Sequence, residues 1–244
     1  MEKLEIFLAT TPEQGKKMRN ALDVSSYASS PYNQFSSFTY STEFRIPVPG
    51  QDMNANSVES IWQGLKVIDG QTDFSMFNRK PRKRKGNIQG HLYGDRILGI
   101  VDARKEIYIP SYEYYISNHT SNEVKVDLVK RAIKDKIYFY DVEDNTEIND
   151  PRPLAHSQLL ADYFNNFLNN KLKIVDEEVN RRYKEKELEH ESLAEPVVRV
   201  AELFRSSTDL DKQIIKLFLS QDFPSLNFYH RRFYSESLDY INSL

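Results

Sequence analysis

Glu59, Gln63 and Lys66 recur at i, i+4 and i+7 within the stretch NSVESIWQGLKV, residues 56–67. On a helix beginning near Ser57 these three share one face, while Val58, Ile61, Trp62 and Leu65 can cover the other. A carboxylate held beside an amide and an ammonium can orient a ribose hydroxyl or activate a water, as acid–base cleavage of a glycosidic bond requires. The same spacing also suits a capping arrangement, with Asn56 as N-cap, Glu59 in the capping-box position and a salt-bridged face turned to solvent. The two readings differ in one respect. Catalysis predicts a deep pocket around Glu59 and Gln63, whereas capping predicts a glutamate spent on hydrogen bonds with no open cleft.

A second concentration of chemistry is RKPRKRKG, residues 79–86, where Arg79, Lys80, Arg82, Lys83, Arg84 and Lys85 place six cations in seven positions. Such a run can contact phosphates of nucleic acid or of a nucleotide diphosphate, or meet an acidic protein partner. No aromatic interleaves it, so a base-stacking platform is not indicated. The histidines at 91, 119, 156, 190 and 230 lack ligand spacing, so no metal site is expected, and His156 reads as a cap or packing residue at a helix start. No glycine-rich phosphate loop or nucleophile elbow appears, and no cofactor is expected. The absence of cysteine excludes disulfides, thiolate nucleophiles and cysteine-ligated metals.

These side chains need elements to hold them. The 244 residues can bury a sizeable core. Mean hydropathy is −0.63, and no apolar run approaches the roughly 20 residues a membrane span needs. With no signal-peptide pattern at the N-terminus, the expected location is cytoplasmic. The formal net charge of −3 gives no bulk attraction to nucleic acid, which leaves the 79–86 run as the local candidate. Thr11-Pro12 should open a helix through about residue 24, and 57–68 a second, stopped by Asp69-Gly70. Residues 71–99 read as irregular, and a helix over 101–118 should kink or restart at Pro110. Further helices are expected over 122–134 and from PLAHSQLL onward, with IYFY as a strand. The class is therefore mainly α with a few short β-strands, an α+β protein.

The segments SPYNQFSSF (30–38) and SVESIWQGLKV (57–67), followed by a basic stretch leading to a glycine, resemble the NADAR family. Its members carry a Ser-Asn-Phe-type segment and then a Ser-Val-Glu-His-Tyr-Phe-Gln-x-x-Lys type helix. The resemblance implies a NADAR-like helical core over residues 1–172 with a helical C-terminal extension over 173–244. It also implies hydrolysis of N-glycosidic bonds in ADP-ribosyl or related nucleotides. Carried over by position, Glu59 is the catalytic glutamate, Asn33, Phe35, Gln63 and Lys66 lie near the ligand, and Trp62 is the one tryptophan able to stack on a base. The Ser-Asn-Phe segment aligns with either Asn33-Gln34-Phe35 or Ser36-Ser37-Phe38. Ser60 stands where the family has histidine, and Trp62 where it has its aromatic.

The charged stretch 171–195 and the aromatic C-terminal stretch, including Phe223, Phe228, Tyr229, Phe233, Tyr234 and Tyr240, ask for a surface to dock on. The Asn/Lys-rich, Gly-poor composition suits an AT-rich genome. Together with the motif departures, these features point to a multimeric structural or assembly protein, a phage neck, tail or ring component that keeps the fold as scaffold. Its location would then be the virion, and its partners further copies and other protein subunits. The alternative is an active N-glycoside hydrolase.

Overall fold

The computed structural model describes residues 5–184, 194–207, 212–213, 215–216, 219–220 and 228–244. It is a mixed α+β protein. The chain divides into two compact units, one of Phe7–Ser121 with Asp135–Tyr163, the other of Met1–Ile6, Asn122–Lys134 and Phe164–Leu244.

In the first unit a parallel three-stranded sheet has the order β1–β8–β2, with β1 at Phe7–Ala9, β2 at Ala21–Asp23 and β8 at Ile137–Tyr140. Alternation in β8 buries Ile137 and Phe139, and the Phe139 ring stacks on Phe7 with centroids 5.6 Å apart. The helix expected over 12–24 is only one turn, α1 (Pro12–Gly15), opened by Thr11 as anticipated. Pairing of Ala21–Asp23 with β8 overrides the local helical signal.

A two-stranded pair, β3 (Ile46–Pro47) and β4 (Asn54–Ala55), leads into helix α2 (Val58–Leu65). Ser57, not Asn56, is its N-cap: the Ser57 hydroxyl accepts the Ser60 N–H at 3.0 Å. The helix ends at Leu65, because Lys66–Ile68 forms β5 and pairs with β6 (Ile88–Tyr93), which turns back into β7 (Arg96–Leu98). This antiparallel sheet takes up residues 88–98 of the stretch 71–99 expected to be irregular. Its missed signal is the two-residue turn Gly94-Asp95 between alternating runs, with Gly94 at φ 58°.

α2 is buried nearly all round, with Val58, Ile61 and Leu65 against the core and Glu59, Ser60 and Gln63 also out of solvent. It lies on the 3₁₀ turn Phe74–Asn78 so closely that a Cβ at Gly64 would come within 2.4 Å of the Phe77 ring. A longer helical run then comprises α3 (Ile100–Ala103), a π-helical segment Arg104–Tyr108 and α4 (Ile109–His119). Pro110 therefore neither ends nor restarts the run; the helix accommodates it by widening one turn earlier, where the proline removes an N–H and crowds the preceding carbonyls. Three tyrosines of this run hold the segment 34–37. Tyr115 donates to the Gln34 carbonyl and Tyr112 to the Phe35 carbonyl, both at 2.6 Å, and Tyr108 bonds Ser37.

The second unit contains α5 (Asn122–Lys134), most of α6 (His156–Lys184), α7 (Ala194–Ser206) and α8 (Phe228–Ser243). α7 packs on α8, and Val197, Val200, Ala201, Phe233, Tyr234 and Ile241 are buried. Phe233 and Tyr234 of the aromatic stretch thus have a docking surface. Phe223 and residues 185–193 of the charged stretch lie outside the described residues. Among the described residues no helix is long and apolar enough to cross a membrane.

Candidate functional site

A cleft of about 660 Å³ opens in the first unit, lined from α2, β5, β6, the π-helical segment, the 36–38 segment and the turns after β8. Glu59 lies in its wall, only 5% exposed. Since Ser57 takes the capping role, the Glu59 side chain is not spent on the helix start, and its backbone N–H goes to the Ser37 carbonyl at 2.9 Å. The carboxylate accepts one hydrogen bond among the described residues, from Gln63 Nε2 at 2.6 Å.

The Gln63 amide can face only one way. Its Oε1 accepts from Lys66 Nζ at 3.0 Å and from the Arg84 N–H at 2.8 Å, so the NH₂ must turn to Glu59. Burial raises the Glu59 pKa above the ordinary carboxylate value, and the Gln63 bond with the charges of Lys66, Lys83 and His156 only partly offsets it. Burial lowers that of Lys66, opposed by Glu59. A carboxyl shifted upward beside an ammonium is suited to give and retake a proton.

A second acid faces the cleft from the turn after β8. Asp141 accepts the backbone N–H of His156 at 3.0 Å, that of Val142, and His156 Nδ1 at 2.5 Å. His156 Nε2 lies 2.8 Å from the Val24 carbonyl, which can only accept, so Nε2 carries a proton and Nδ1 faces the Asp141 carboxylate. Burial works against both charges, but the mutual attraction and hydrogen bonds prevail, holding Asp141 below and His156 above their ordinary values. His156 does begin α6, yet its ring belongs to this pair.

Trp62 lines the cleft half-buried, stacked on His91 with centroids 3.7 Å apart and edge-on to Tyr108 at 5.3 Å. Of the two alignments of the Ser-Asn-Phe segment, Ser36, Ser37 and Phe38 line the cleft; Asn33 and Phe35 do not, and Phe35 is fully buried in the core.

The basic run separates by role. Lys83 lines the cleft and lies 3.8 Å from Glu143. Arg84 is a clamp: its guanidinium donates to the Gln63 and Lys66 carbonyls, each at 2.8 Å, closing the C-terminal end of α2. Arg79, Lys80, Arg82 and Lys85 are exposed. Arg104, unremarked in the sequence, also lines the cleft, but its guanidinium is committed to carbonyls of Ile148, Asp150 and Arg152 and so braces the turn before α6. Among the described residues no cluster of histidine and acidic side chains could hold a metal ion.

No curated protein and no solved structure matches the chain. Residues 10–160 match a family model described as a family of unknown function, DUF6939, and every cleft-lining residue from Ser26 to His156 falls within that span. The chain is a member of the DUF6939 family, and the cleft lies wholly in the part that defines it.

Proposed function

We propose that the chain is an N-glycoside hydrolase acting on a ribosyl compound that carries phosphate, on a NADAR-like scaffold. One observation carries this reading: Glu59 opens into a cleft of about 660 Å³ with a raised pKa and one neutral hydrogen-bond partner, instead of being consumed in capping. Protonated Glu59 gives its proton to the leaving nitrogen as the C1–N bond breaks and its electron pair departs with the base. The resulting carboxylate then takes a proton from the water that adds to C1. Lys66 and Lys83, both lining the cleft, supply ammonium groups for substrate phosphate, and Trp62 supplies an aromatic surface for the base.

The assembly reading expects a glutamate buried in capping with no open cleft. Its support is the exposed cations Arg79, Lys80, Arg82 and Lys85, which suit a polyanionic or acidic protein partner. The deciding experiment is hydrolysis of a panel of ADP-ribosyl and nucleoside-phosphate N-glycosides by wild type and Glu59→Gln, with the mass in solution measured beside it. Turnover lost in Glu59→Gln supports hydrolysis. A large multimer inactive in both forms supports assembly instead.

A further inference from the structure

Among the polar groups of the cleft that the hydrolytic reading leaves unused is His91. His91 lines the cleft and is 1% exposed, and among the described residues neither ring nitrogen has a hydrogen-bond partner. Buried polar atoms without partners are uncommon and destabilising, so a pair on one ring calls for a cause. The register of β5 and β6 sets His91 opposite Lys66, whose ammonium bonds Gln63 and through it supports Glu59. The 3.7 Å stack on Trp62 fixes the ring plane. Glu59 and Trp62 are three residues apart on α2, so they are surface neighbours with Cβ atoms roughly 5–6 Å apart. His91 thus stands beside the place where the bond would be cleaved.

Burial, with the Lys66 charge as the smaller cause, lowers the His91 pKa to about 3, so the ring is neutral with one donating and one accepting nitrogen. A phosphate only accepts and an ammonium only donates, so each can meet only the nitrogen in the matching protonation state. Hydroxyl groups do both and serve whichever nitrogen carries the proton. If Glu59 acts at C1 of a sugar, the hydroxyl on the adjacent carbon is the one within reach of the neighbouring wall.

We propose that His91 is a positioning and specificity-determining residue that hydrogen-bonds the 2-hydroxyl of the ligand's sugar, so that the cleft selects ribosyl over 2-deoxyribosyl compounds. The identity of the sugar rests on the hydrolytic reading; the role of His91 in binding is tested apart from turnover. The probes are D-ribose 5-phosphate and 2-deoxy-D-ribose 5-phosphate, titrated into ¹⁵N-labelled protein while the His91 ring signals are followed, for wild type and His91→Phe. The phenyl ring keeps the stack on Trp62 and removes only the two unmet nitrogens.

Ribose 5-phosphate should shift the His91 ring signals and bind about tenfold more tightly than the deoxy sugar, as one hydrogen bond in a desolvated site allows. His91→Phe should melt no lower than wild type and bind both sugars alike. Equal binding of the two sugars by wild type, no binding of either, or a ribose preference kept by His91→Phe would each overturn the proposal. Ribose selectivity without turnover by wild type sinks the hydrolytic reading alone. Turnover abolished in Glu59→Gln, without ribose selectivity, sinks this proposal alone.

Discussion

Asp141 and Glu59 line the same cleft, yet Asp141 accepts hydrogen bonds from two backbone N–H groups and an imidazolium, whereas Glu59 accepts one, from a neutral amide. Both are buried, so desolvation works on both in the same direction, and the difference lies in what each was given to offset it. Asp141 is held ionised by its partners and serves to fix His156 and the turn after β8. Glu59 has one such partner, and burial holds its pKa above the ordinary carboxylate value. Two carboxyls whose environments drive their pKa values apart are the arrangement from which acid–base roles can be read.

The largest way to break this contrast is Glu59→Gln. Turnover of an N-glycoside substrate should fall by about 10²–10⁴-fold, the usual weight of a positioned acid–base group, measured by base release. Its effect on stability should have the opposite sign. The folded chain holds the Glu59 proton above the ordinary value of 4.5, so that site's contribution to stability declines as pH rises from 4.5 through the folded pKa. Glutamine has no such loss, and the variant's advantage in Tm should grow over that window.

Next comes Asp141→Asn, which leaves the His156 imidazolium buried without its counter-charge. A loss of about 3–5 kcal/mol is expected in a urea-unfolding series. The Asp141 contribution is present above its unfolded value of 3.8 and is lost as pH falls through its lower folded value. The His156 contribution is full below its unfolded value of 6.5 and is lost as pH rises through its higher folded value. The gap between wild type and variant should therefore be widest between pH 3.8 and 6.5.

Smaller still is Arg84→Ala, which removes the guanidinium from the Gln63 and Lys66 carbonyls and loosens the support of the one partner Glu59 has. A cost of about 1–3 kcal/mol is expected, with reduced turnover alongside it. Lys80→Ala, four residues away in the same basic run but exposed, should stay within about 0.5 kcal/mol and leave turnover unchanged. Equal effects of the last two would remove the distinction between clamp and surface cation.

The convergence of Glu59, Gln63 and Lys66 was legible because it rests on spacing within one short stretch, and it survives even though Lys66 leaves the helix for β5. The α+β class was legible from the mixture of amphipathic runs and the IYFY strand. Asp141 and His156 were not, since they meet through a turn of irregular backbone that no periodicity describes. The site of His91 is not legible in the sequence, because it depends on strand register with Lys66 across a hairpin whose sequence lacks strong periodicity. Six cations look alike in a sequence. What separates Arg84 from Lys80 is the path of the loop, which brings one back across the end of α2 and leaves the other in solvent.

The position of β8 between β1 and β2 also governs how the protein comes to exist on a ribosome. Residues 7–9 and 21–23 have no sheet to join until residues 137–140 have emerged, a delay on the order of ten seconds at about 5–20 residues per second. The Val24 carbonyl directly follows β2, and Asp141 directly follows β8. The strand that closes the sheet therefore sets Asp141 beside the Val24 carbonyl, and the His156 ring joins both once α6 has followed, so the nascent chain has no finished cleft before then.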